Sequence, residues 1–176
     1  WTATLTNRSR CTRRLSLFIY FPIGSPSPLY QRGDFDRHVN GIVLWHFPGH
    51  SDADEYWKLK ERHNVTFCLA DRKPASYETT RDAFTGPAGL RSPRQLLQRR
   101  LASRPCFMDP CAAVMQFPLT IEPGETAAIR FLFGPARDRA HIRRLRARYL
   151  RPGGFERAWR AVEAFRQAHE PAVRIE

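Results

Sequence analysis

Acidic residues occur in two closely spaced groups, the arrangement that could support acid–base chemistry. The first group is Asp34 and Asp36, and the second is Asp52, Asp54 and Glu55. Glycoside cleavage uses such carboxylate pairs, one as a proton donor and one as a base or nucleophile. Acids in loops and at helix starts are commoner, because they cap backbone amides and favour the helix dipole. We therefore predict no catalytic residue in this chain and keep Asp34 or Asp36 as the alternative.

Aromatic residues could bind carbohydrate without cleaving it. Exposed aromatic faces stack on the apolar faces of sugar rings, and the candidates are Tyr30, Trp45, Tyr56 and Trp57. Gln31 joins them because it follows Tyr30 at the end of a loop rich in Pro and Gly. Core packing is the alternative, and it is favoured for Trp45, which lies inside a predicted strand. Tyr56 and Trp57, on a predicted surface helix, are evenly balanced between the two roles.

Motifs for other chemistry are missing from the sequence. It has no Gly-rich phosphate loop, no Gly-x-Ser-x-Gly elbow and no His-Glu-x-x-His. The sequence has no Cys-x-x-Cys pair and no His at zinc-finger spacing. Its cysteines are scattered along the chain, at Cys11, Cys68, Cys106 and Cys111. We expect reduced thiols, no metal and no cofactor.

The net charge of the chain is strongly positive, at +12 from 29 Lys and Arg against 17 Asp and Glu. A basic surface can attract nucleic acid, anionic lipid or a phosphorylated ligand, and segment 138–151 is where phosphates would bind. An Arg-biased composition with an acidic partner domain is the favoured explanation. A nucleic-acid-binding module is therefore an alternative, and nucleic acid is not an expected partner.

Length and composition fit one folded domain. The chain has 176 residues, 42% of them hydrophobic, enough for a packed core. No apolar run approaches the roughly 20 residues of a membrane helix. The chain begins at Trp1 with neither a Met nor a leader. We expect a soluble, cytoplasmic piece of a longer protein that does not contact a membrane.

Alternation of apolar and polar residues predicts a mainly β body with short inserted helices. Strands are predicted at 1–6, 14–20, 41–47 and 65–70, and short helices at 52–60, 79–84 and 92–101. The first two strands are expected to pair as an antiparallel hairpin. Two further runs, 112–121 and 126–133, flank Pro123-Gly124, which suits a type II turn and predicts a second hairpin.

The hydrophobic period changes from two to about 3.6 at Asp138, so the chain is expected to end in helices. A basic helix is predicted over 138–150. A second helix carries an apolar stripe that must pack on something, formed by Phe155, Trp159, Val162 and Phe165.

Several short motifs occur in an order that resembles glycoside hydrolase family 94, formerly glycosyltransferase family 36. They are Leu15–Gly24, Gly41–Val43, Asp54–Lys58, Thr66–Asp71, Phe84–Leu90, Ala112–Gln116, Pro123–Glu125 and Arg130–Asp138. The family contains cellobiose and chitobiose phosphorylases and the phosphorylase-like region of cyclic β-1,2-glucan synthases. The ordered set covers nearly the whole chain.

The resemblance implies an antiparallel β-sandwich, part of a supersandwich, followed by two linker helices. We expect the sandwich over 1–135 and linker helices over 136–176, leading to an (α/α)6 barrel outside this chain. In the family, inverting phosphorolysis of β-glucosides uses a general-acid Asp and phosphate-binding residues that lie in that barrel. No catalytic residue can be carried over to this sequence.

The expected function is that of a non-catalytic, carbohydrate-binding or scaffolding domain of a phosphorylase-like enzyme. The expected partners are an oligosaccharide or β-glucoside and the barrel, and a homodimer is left open. A self-sufficient glycoside-active domain is the enzymatic alternative.

Overall fold

The computed structural model describes residues 1–23, 31–46 and 65–169. The strands in these ranges are β1 Thr2–Thr6, β2 Arg13–Pro22, β3 Gln31–Asp36, β4 Gly41–His46, β5 Val65–Ala70, β6 Ser76–Thr80, β7 Cys106–Phe107, β8 Cys111–Ile121 and β9 Thr126–Ala136. The helices are α1 Arg81–Thr85, α2 Arg139–Tyr149 and α3 Gly154–His169, with 3-10 turns at Gly89–Arg91 and Arg94–Leu97. None of these helices is both long and apolar enough to cross a bilayer.

The strands form two sheets that pack face to face. A six-stranded sheet has the order β1-β9-β5-β4-β3-β7, and a three-stranded sheet has the order β2-β8-β6. Neighbouring strands are antiparallel throughout. The predicted antiparallel β-sandwich is therefore confirmed.

Apolar side chains cover both faces of each sheet. Residues such as Leu44, Met115 and Phe131 fill the space between the sheets. A second cluster on the outer face of the six-stranded sheet packs under α2, whose Ile142 is fully buried. A third cluster joins Val114 of β8 to segment 81–104 on the outer face of the three-stranded sheet. Alternate side chains of β8 thus point into two different apolar clusters. Because both faces of this strand are covered, its sequence is apolar on both faces.

Both predicted hairpins are wrong, because each pair of consecutive strands is divided between the two sheets. β1 pairs with β9 and β2 pairs with β8. The predicted tight turn is present: Gly124 has φ 77°, and the amide of Glu125 donates to the carbonyl of Glu122 over 3.0 Å. This turn carries the chain across the sandwich, where both strands satisfy their backbone groups with other partners.

Helix α2 confirms the predicted basic helix and is fastened to the sheet by polar contacts. The side chain of Asp138 caps it by accepting from the amide of His141 over 2.6 Å. Arg139 pairs with the buried carboxylate of Asp36. Arg146 donates to the carbonyls of Val39 and Ala70 over 3.3 and 3.1 Å, and burial lowers its pKa. Part of the basic face therefore binds the protein itself.

The predicted helix at 92–101 is wrong beyond its first turn, because a 3-10 turn ends at Leu97 and Gln98 is extended. Glu78, which is fully buried, accepts from the side-chain amide of Gln95 over 2.8 Å. This contact holds Gln95 in the interior, and the chain continues along the sheet. The helix predicted at 52–60 lies outside the described residues.

The approach of β4 to β5 generates a stability prediction. A Cβ at Gly41 would lie 2.2 Å from Leu69 Cδ2 and 2.7 Å from the carbonyl oxygen of Cys68. We expect Gly41→Ala to lower the free energy of unfolding by about 1–3 kcal/mol in urea denaturation, because the carbonyl cannot retreat without disturbing the ladder. Gly134→Ala is the matched control, since its Cβ would meet nothing within 4 Å. Equal stability of the two variants would contradict the close approach.

Candidate functional site

The described candidates for sugar contact lie at one end of the six-stranded sheet. Gln31 is paired with His46 and Trp45 with Val65, so β3, β4 and β5 meet there. Tyr30, Tyr56 and Trp57 lie outside the described residues, and their proposed role stays a prediction.

A cross-strand row at this end places aromatic and cationic side chains on one face. Phe107 is opposite Arg32, which is opposite Trp45. Residues directly opposite one another project from the same face of a sheet. We call Phe107, Arg32 and Trp45 the aromatic row. The row continues into the buried side chains of Val65 and Ala136, so its inner end is anchored in the cluster under α2.

The aromatic row is exposed at its outer end. Phe107 is 63% exposed, Arg32 is exposed and Trp45 is half-buried. The guanidinium carbon of Arg32 lies 5.8 Å from the centroid of the Trp45 ring, within cation–π range. The row therefore offers an apolar ring, a set of planar N–H donors and a second ring, roughly 5 Å apart from strand to strand.

Gln31 positions the turn that carries Phe107. Its side chain is 3% exposed, and its Oε1 accepts from the amide of Cys111 over 2.8 Å. Its backbone carbonyl accepts from the amide of Met108 over 3.0 Å. Direct sugar contact by Gln31 stays a prediction, while its observed contacts are with the β7–β8 turn.

Two buried thiols close the same turn. The Cys111 thiol donates to Cys106 Sγ over 2.8 Å, and Cys106 donates to the carbonyl of Asp109 over 3.2 Å. The bond from Cys111 lowers the pKa of Cys106 and raises that of Cys111 itself. Both thiols are buried, so they act as packing and hydrogen-bonding groups of the turn.

The carboxylates of the enzymatic alternative have local partners. Asp34 accepts from the amide of Phe35 over 2.7 Å and from the hydroxyl of Tyr77 over 3.3 Å. Asp36 accepts from the amide of His38 over 2.8 Å and pairs with Arg139. These contacts hold the turn after β3 and helix α2. Within the ranges that the structure describes, no cluster of three His, Cys, Asp or Glu could hold a metal ion.

Sequence reasoning missed Phe107 and Arg32. Phe107 lies in a short segment between Pro105 and Pro110, and β7 is too short to produce a recognisable alternation. An apolar Phe-Met pair between two prolines was the available signal, because Pro favours surface turns. The alignment of Phe107 with Arg32 needs the strand register, which that segment does not encode locally.

Taken together, the fold and the row define a β-sandwich domain with an aromatic, cationic strip at one sheet end and helices at its C-terminal side. A model of the glycosyl hydrolase 94 supersandwich domain matches residues 1–152. The chain belongs to this family, as its resemblance implied.

The family's relatives are much longer than this chain. It is 36% identical over 156 residues to cellobionic acid phosphorylase of Neurospora crassa, a match that covers 89% of the chain and 20% of the relative. It is 27% identical over 154 residues to 3-O-beta-D-glucopyranosyl-beta-D-glucuronide phosphorylase of Paenibacillus borealis, with 87% and 20% covered. Solabiose phosphorylase of the same organism is 25% identical over 165 residues, with 89% and 20% covered. The chain thus spans about a fifth of each relative.

The role of Gln31 in this turn can be tested by substitution. We expect Gln31→Leu to lower the free energy of unfolding by about 1–3 kcal/mol, because the buried amide of Cys111 loses its acceptor. Gln98→Leu, at an exposed position, is the control and should stay within about 0.5 kcal/mol of the parent chain. Denaturant unfolding followed by Trp fluorescence provides both values. A Gln31→Leu chain as stable as the control would show that another group satisfies the amide.

Proposed function

We propose that this chain is a non-catalytic carbohydrate-binding and scaffolding domain of a longer glycoside phosphorylase that acts on β-linked glucosides. Family membership supports the class of the whole protein, and all three relatives are named as phosphorylases. The local contacts of Asp34 and Asp36 support a domain without its own acid–base pair.

The aromatic row is the observation that carries the binding part of the proposal. Phe107 and Trp45 can contact the C–H faces of sugar rings, and Arg32 between them can donate to ring hydroxyls. The ladder fixes the spacing of the three side chains, so little conformational entropy is lost on binding. A glucoside chain would lie across the strands, along the row.

The scaffolding part is supported by the contrast between the two C-terminal helices. α2 buries Ile142 against the sheet. α3 leaves its stripe open, with Trp159, Val162 and Phe165 each more than half exposed at 55%, 53% and 62%. An apolar stripe of this kind is stable in water when another surface covers it. We propose that 136–176 links the sandwich of 1–135 to a helical barrel, which covers the stripe.

Titration of this chain with cellobiose tests the sugar surface. Heteronuclear NMR should show shifts at the Trp45 indole and at the amides of Arg32 and Phe107, with a dissociation constant on the order of 1 mM. We expect Phe107→Ala to weaken binding by at least about fivefold, since it removes an exposed ring of the row.

Leu97→Ala is the matched control, because Leu97 is 89% exposed but lies outside the row. It should bind cellobiose like the parent chain. Equal affinities of Phe107→Ala and the parent chain, or shifts confined to α3, would overturn the assignment of the aromatic row.

A further inference from the structure

A cavity of about 500 Å³ opens where the edges of the two sheets meet, at the far end of β3 from the aromatic row. Its lining comes from three separate parts of the chain: the end of β3, the segment before and within β6, and residues 100–103. Arg32 and Arg37 lie roughly 16 Å apart along the strand direction. The cavity is therefore a separate site, and its volume is in the range of pockets for small molecules.

Three cationic side chains converge on this cavity, which we call the basic pocket. Arg37, Lys73 and Arg100 all line it. Within the part of the chain that the structure describes, no carboxylate forms an ion pair with any of them. Arg100 is oriented by donating to the carbonyl of Ala75 over 2.7 Å. Uncompensated cations around a concavity strengthen one another's attraction for an anion.

The wall of the basic pocket also contains an aromatic pair. Phe35 and Tyr77 both line it and stack with their centroids 5.1 Å apart. The Tyr77 hydroxyl donates to Asp34 over 3.3 Å. Partial burial and the Asp34 carboxylate raise the pKa of Tyr77, and the nearby Arg37 opposes this. The hydroxyl therefore stays protonated.

We infer that the basic pocket binds an anionic monosaccharide, a hexose that carries a phosphate or carboxylate group. The anionic group pairs with Arg37, Lys73 and Arg100. The C–H face of the ring lies on the Phe35 and Tyr77 pair. This inference does not rest on the aromatic row, so either site can fail without the other.

Calorimetric and NMR titrations of the 176-residue chain with four probes test the inference. Glucose 6-phosphate and glucuronate represent the two anionic groups, and glucose and inorganic phosphate represent the separate halves. We expect the better of the two sugar anions to bind at least tenfold more tightly than glucose and than phosphate, with shifts at Tyr77 and Ser103. Comparable affinity for inorganic phosphate would overturn the sugar part, and comparable affinity for glucose would overturn the anionic part.

Charge-matched variants separate the pocket from the general basic surface. Arg37→Gln with Arg100→Gln should weaken the sugar anion at least tenfold, whereas Arg91→Gln with Arg137→Gln, both at exposed positions, should change it less than twofold. Arg37→Gln alone is the second test, since Arg100 also supports the backbone of Ala75. Similar weakening in both double variants, or no weakening in Arg37→Gln, would contradict the basic pocket.

Discussion

The two-sheet arrangement depends on one buried asparagine, Asn7, which links the two turns where the chain passes from one sheet to the other. Asn7 donates from its side chain to the carbonyls of Cys11 and Ile121 over 2.9 and 2.8 Å. Its backbone amide donates to the carbonyl of Glu125, and its carbonyl accepts from the amide of Gly124, both over 2.9 Å. The turn after β1 and the turn after β8 are thereby held as one corner. Since both turns are fixed, β1 and β9 enter one sheet while β2 and β8 enter the other.

The same arrangement positions the two proposed sites. With β8 in the three-stranded sheet, its first residue, Cys111, meets the side chain of Gln31 in the other sheet. That bond holds the β7–β8 turn beside β3 and aligns Phe107 with Arg32. At the other end of β3, beyond the residues that pair with β7, β3 lies beside β6, and the two strands frame the basic pocket. Two surfaces of different chemistry thus arise from opposite ends of one strand.

The sequence predicted local structure well where local chemistry determines it. Alternation located β5 and β8, the change of period located α2, and Pro123-Gly124 located the turn with positive φ at Gly124. Strand pairing was not predictable, because two apolar runs joined by a tight turn can pair with each other as a hairpin or enter two different sheets. The polar residue that decides between them, Asn7, reads as an ordinary turn residue until its burial is known.

For the candidate sites, too, local residue types were recognisable in the sequence, whereas the alignment of residues from different strands was not. Trp45 was identified as a possible sugar contact from its type, and the family resemblance implied a role outside catalysis. Phe107 was missed because its exposure and its alignment with Arg32 are properties of the assembled sheet. The basic pocket was missed because Arg37, Lys73 and Arg100 are far apart in sequence and converge only when the edges of the sheets meet.

The most direct test of this account is the free energy of unfolding of Asn7→Ala, measured by denaturant titration beside Ser9→Ala. Asn7→Ala leaves the buried carbonyl of Ile121 without its side-chain donor and opens the corner, so we expect a loss of about 2–4 kcal/mol. Ser9→Ala removes a part-exposed hydroxyl that contacts Asn7 Oδ1 over 2.7 Å, the carbonyl of Cys11 over 3.0 Å and Arg13 Nε over 3.0 Å, but it leaves the Asn7 side chain in place, and should cost about 1 kcal/mol or less. An Asn7→Ala chain as stable as Ser9→Ala would contradict the central role of this corner.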